Sequence, residues 1–69
     1  MKIIKLSPER STAVFILSQD EIHFILQGVS ELCDGEHYSD SDFETIIGFK
    51  RSFGIPIMDT LQESLKQLS

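Results

Sequence analysis

The apolar positions change their spacing near residue 18. Before it, Lys2-Ile3-Ile4-Lys5-Leu6 and Thr12-Ala13-Val14-Phe15-Ile16-Leu17 are runs rich in β-branched and aromatic residues, separated by Ser7-Pro8-Glu9-Arg10-Ser11. Pro8 fixes its own φ and lacks an N–H, which suits a turn. The two runs predict a β-hairpin over about residues 2–17. A short apolar run is also compatible with a buried helix segment, and periodicity alone does not separate the two.

Beyond residue 18 the spacing is helical. Ser18-Gln19-Asp20-Glu21 reads as a capping box, with Asp20 and Glu21 suited to the positive end of a helix dipole. Ile22, Ile25, Leu26, Val29, Leu32 and Cys33 then recur every three or four residues and form one stripe. This predicts a helix over about residues 19–33, closed by Asp34-Gly35 with Gly35 as the left-handed terminator. The same start signal returns at Ser41-Asp42-Phe43-Glu44, after which Phe43, Ile46 and Ile47 share a face. A second helix is expected over about residues 41–52, weakened inside by Gly48 and able to stop there. Gly54 reads as a break. Pro56 suits the first turn of a last helix over about residues 56–68, with Ile57, Met58, Leu61, Leu65 and Leu68 inside. The order is ββααα, an α+β fold with three short helices packed on a hairpin, and one small domain over 1–69.

Two features strain this picture. The second strand is apolar on both faces, with Val14 and Ile16 on one and Ala13, Phe15 and Leu17 on the other. Either the helices wrap it, or it is not a strand, or Val14, Phe15 and Ile16 build a homodimer that supplies missing core. Phe24 lies almost opposite the stripe of its own helix, near Gly28 and Glu31. It either covers a hairpin edge or anchors a partner.

Charge is uneven. Of 11 acidic and 6 basic residues, no Lys or Arg falls between Ser11 and Phe49, whereas Asp20, Glu21, Glu31, Asp34, Glu36, Asp40, Asp42 and Glu44 do. Such a field repels phosphate and attracts a basic protein surface. Caps and helix dipoles already account for Asp20, Glu21, Asp42 and Glu44, so solubility is the competing explanation. No apolar run approaches the roughly 20 residues of a membrane span, and the first five residues are too few for a secretory signal. The single cysteine makes a reducing cytoplasm the expected setting.

Little chemistry is visible. The segment from Asp34 to Asp42 alternates carboxylates, yet a calcium loop counted from Asp34 needs Gly where Ser39 stands and Glu where Thr45 stands. His23 and His37 with one distant cysteine do not complete a zinc site. Cys33 ends an apolar stripe, beside Asp34 and Glu36, where a buried thiol is the default. Gly28, Gly35, Gly48 and Gly54 are scattered singly, so no phosphate loop is present. Neither an enzyme nor a cofactor is expected.

Two short helices meeting at Phe53-Gly54-Ile55-Pro56 suggest a helix-turn-helix at first sight. Lys50 sits four residues before the Gly, where a small residue is needed, and Thr60 six after it, where an apolar one is needed. Asp59 and Glu63 would face the groove, leaving Lys50, Arg51 and Lys66 to hold phosphates. A dimeric DNA-associated regulator is therefore the alternative, and nucleic acid the weaker partner.

Ser18-Gln19-Asp20-Glu21, Asp42-Phe43-Glu44, Ile47-Gly48 and the Leu-rich segment from Leu61 to Leu68 together resemble a set of small bacterial proteins of unknown function. The resemblance covers most of the chain and implies the same ββααα fold. It brings no catalytic residues. Small acidic immunity proteins are similar in size and charge only. The expected function is a non-enzymatic, acidic interaction module that docks a basic protein through Asp20, Phe24, Glu31, Asp34, Glu36 and Asp40. An inhibitor or immunity-like binder is its most concrete form. A self-associating accessory subunit built on the hairpin is the third reading.

Overall fold

The computed structural model describes residues 1–34 and 38–68. Strands β1 (Lys2–Ser7) and β2 (Thr12–Ile16) pair antiparallel. A 3-10 turn, Pro8–Arg10, joins them and closes with Ser11 in the left-handed region at φ 53°, its N–H donating to the Pro8 carbonyl at 3.1 Å. The register pairs Ile3 with Phe15 and Leu6 with Ala13, and slips between Ile3 and Lys5, so Ile4 is the extra residue of a β-bulge.

Helix α1 spans Gln19–Asp34. Its capping box forms as the sequence indicates: the Glu21 N–H donates to Ser18 Oγ at 3.2 Å, and the Ser18 N–H donates to Glu21 Oε1 at 2.9 Å. The α-amino group of Met1 adds an ion pair to the same carboxylate, tying the start of β1 to the start of α1. That ammonium first, and the Ser18 N–H second, hold the Glu21 carboxyl down from 4.5 to about 2. A depressed acid adds stability that is complete above pH 4.5 and is lost as pH falls through about 2. The carboxyl signal of Glu21 in an NMR titration is therefore expected to have its midpoint near 2, and Glu21→Gln to remove this acid dependence. A midpoint at the ordinary 4.5 contradicts the assignment. Salt weakens the effect because the pair is open to solvent.

Helix α2 covers Asp40–Ile47 and helix α3 Gly54–Leu68, with a 3-10 turn at Arg51–Phe53 between them. Three details differ from the sequence reading. The cap of α2 is Ser39, not Ser41: Ser39 Oγ accepts from the Asp42 N–H at 3.1 Å. The second helix does not reach residue 52, because Gly48 takes φ 88° and returns its N–H to the Glu44 carbonyl. Gly54 is not a break but the first residue of α3, in right-handed helical conformation. Its lack of a side chain serves packing, since a Cβ there would lie 2.7 Å from Cys33 Sγ.

The core is helical. Leu26 and Cys33 of α1, Phe43 of α2 and Met58 of α3 form a buried cluster, with Val29, Leu61 and Leu65 packed against it. Ile57 and Leu68, expected inside, stay exposed. The helices pack on one another and not on the hairpin, whose extensive contacts are within itself. The apolar stripe of α1 faces α3. The outcome is a flat molecule of 35 × 35 × 16 Å. Its radius of gyration is 13.8 Å, against about 11 Å for a compact chain of this length. Among the described residues no helix is long and apolar enough to cross a membrane.

Candidate functional site

The core side of α1 is set by Ile22, Leu26 and Cys33. At about 100° per residue, Phe24 points almost directly away from them. It is 82% exposed. Asp20, Glu31 and Asp34 fall within about 60° of one another and within about 80° of Phe24, and the line from Asp20 to Asp34 runs about 21 Å. No basic residue lies on α1. The helix thus presents an aromatic ring within a row of carboxylates, on the side away from the apolar stripe that packs on α3. His23 sits beside the row, within hydrogen-bond distance of the Gln27 amide at 3.2 Å. Of the six residues expected to meet a partner, four therefore share one helix face. Glu36 lies outside the described residues, as do Gly35 and His37.

Asp40 belongs to a different arrangement. It accepts from Arg51 Nε at 3.0 Å. The same guanidinium donates through Nη1 to the carbonyls of Leu32 at 3.0 Å and Cys33 at 2.6 Å, and through Nη2 to Tyr38 at 2.9 Å. It also lies 4.7 Å over the ring of Phe43. Arg51 thereby caps the C-terminus of α1, where a cation suits the dipole, and staples it to the start of α2. Sequence reasoning missed this role. A signal existed: the last turn of α1 holds no basic residue, and Lys50 and Arg51 are the first to follow.

No protein-family model, curated protein or solved structure matches the chain.

Lys50 is exposed, whereas Arg51 turns inward, and Lys66 stands near the far end of α3, roughly 18 Å further along that helix. The three cations proposed to hold phosphates do not form one patch. Cys33 is buried, with Sγ 3.8 Å from the Arg51 carbonyl. Among the described residues no three His, Cys, Asp or Glu side chains gather where they would hold a metal ion. The surface depressions are open grooves. One, between α1 and the last helix, is lined by Asp20, His23 and Lys66; another, of about 210 Å³, runs past Leu32, Ile47, Phe49 and Phe53. Phe49 and Phe53 stack there with centroids 4.7 Å apart.

The hairpin residues separate by register. Phe15 shares a face with Ile3, Leu6 and Ala13, whereas Val14 and Ile16 sit opposite Lys5 and Lys2. The expectation that β2 is apolar on both faces holds for that strand alone. With β1 added, one face of the ribbon is apolar and the other mixed.

Proposed function

We propose that this chain is a non-enzymatic protein–protein interaction module whose outer α1 face docks a basic protein surface. The observation that carries the reading is Phe24, 82% exposed in line with Asp20, Glu31 and Asp34. An aromatic ring open to water gains from burial in a partner's pocket, and central aromatics dominate many interfaces. The carboxylates around it raise the encounter rate with a cationic partner and disfavour phosphate backbones. An inhibitor that covers the basic substrate surface of another protein is the most concrete form of this role. The inward-turned Arg51 weighs against the DNA-binding alternative.

A photo-crosslinking residue placed at Gln27, beside the acidic row, tests the proposal in two steps. Crosslinked partners are identified, and association with the purified partner is then timed at low and high salt. The expected partner is basic, its association rate falls about tenfold or more as salt rises, and Phe24→Ala raises Kd by about 30-fold. Salt-independent association, or an unchanged Kd for Phe24→Ala, would sink the reading.

A further inference from the structure

The apolar face of the hairpin has no cover within the chain. Ile3 is 56% exposed, Leu6 61% and Phe15 47%, and with Ala13 they present no charged or hydrogen-bonding side chain. The lysines of the ribbon, Lys2 and Lys5, are on the opposite face. Surface area shows the same deficit on the scale of the whole molecule. The chain exposes 5612 Å², whereas a compact monomer of its mass exposes about 4,400 Å². The excess, about 1,200 Å², is shared with the exposed Phe24, Ile46, Phe49 and Phe53 of the helical part, and the hairpin face supplies a portion of it.

We infer that a second copy of this chain covers that face, the two hairpins packing apolar face to apolar face about a two-fold axis. Such an interface sets each patch against its own likeness, so the patch must be self-complementary. An uncharged apolar face meets that condition. A charged face of a chain carrying a net −5 does not. Facing sheets pack about 10 Å apart, a spacing that the side chains of Ile3, Leu6 and Phe15 fill from both sides. Lys2 and Lys5 then point outward into water. The outer edge of β1 carries the bulge at Ile4 besides these lysines, both devices that discourage edge-to-edge pairing along that strand. Aromatic Phe15 is the anchor. Val14 and Ile16, on the mixed face, are outside the contact.

Light scattering on the full chain at several concentrations, with variants, tests this. The expected mass is twice 7.8 kDa. Phe15→Asp and Leu6→Asp each raise the dimer dissociation constant by about 100-fold or more, since a charge would be buried without a partner. The helical circular dichroism of both persists, because the helical core does not lean on the ribbon. Val14→Thr remains dimeric. Loss of the hairpin itself in an Asp variant is controlled by crosslinking: under mild diamide oxidation Ala13→Cys, on the apolar face, joins two chains, and Thr12→Cys, on the other face, does not. Cys33 is buried and stays out of that reaction. A monomer at the highest concentration overturns the inference, as does crosslinking through residue 12 in place of 13. Loss of the dimer on Phe53→Ser also overturns it, by showing that the ribbon sits in the groove beside Phe49 of another copy.

Discussion

Phe43→Ala is expected to abolish the cooperative unfolding transition, or to shift it by about 3–5 kcal/mol if the chain still folds. Phe43 is 4% exposed, the lowest value among the buried core residues, and it joins Leu26, Cys33 and Met58 across three helices. Truncation removes the transfer free energy of the ring and leaves a cavity that rigid neighbours fill only in part. It also removes the π-face beneath the Arg51 guanidinium, a contact of about 0.5–2 kcal/mol. A core in a chain this size rarely supplies more than about 3–5 kcal/mol in all. The loss is therefore comparable with the whole stability. Urea titration followed by circular dichroism provides the measurement. A shift below about 1 kcal/mol, within the range of ordinary substitutions, would mean the core does not depend on this ring.

The second large effect belongs to Arg51. Arg51→Met keeps much of the aliphatic stem but withdraws four hydrogen bonds at once, from Leu32, Cys33, Tyr38 and Asp40. The released carbonyls of α1 lose a partner at the end of a helix with no other cation in its last turn. A cost of about 2–4 kcal/mol is expected. Arg51→Lys restores only a minor part, because an ammonium cannot present a planar fork to carbonyls on both sides of the α1–α2 connection. Amide exchange should quicken in the last turn of α1 and the first turn of α2 before it does in α3. Combined with Phe43→Ala, the two losses should fall short of their sum by the shared cation–π contact. Full rescue by lysine would show that charge alone, not the fork, matters at this position.

What the sequence disclosed and what it withheld divide by the range of the interaction. The capping box of Ser18 and Glu21, the extent of α1 and the ββααα order depend on neighbours within a few residues, and all of these were legible. The cap at Ser39 was displaced by two positions because Ser39 and Ser41 offer the same side chain, and only the path of the chain selects one. For a similar reason Gly48 stood open between an interior weakness and a stop, and Gly54 was misassigned. A lone glycine marks a helix stop or a close approach equally well until its φ and its neighbour are known, here φ 88° at Gly48 and Cys33 Sγ at Gly54. Helical spacing placed Phe24 opposite the stripe and near Glu31, whereas the alignment of Asp20 and Asp34 with them emerges only once α1 is seen to run unbroken from Gln19 to Asp34. The staple made by Arg51 spans 18 residues to Cys33, and no local pattern announces it. The sorting of the hairpin into an apolar and a mixed face was hidden by the bulge at Ile4, since one inserted residue reverses the alternation of β1 relative to β2.

The near-independence of hairpin and helices gives the molecule two levels of order. The ribbon is joined to the rest through Leu17, Ser18 and the Met1–Glu21 ion pair, so its local opening need not disturb the buried cluster. Its amides should exchange with solvent at a small free energy, while those of α1 and α3 wait for global unfolding. Protection of the β1 and β2 amides is then a direct gauge of whether the ribbon is occupied, readable with no probe attached. The same separation lets the ribbon sequence drift toward a different contact while the helical core keeps its fit.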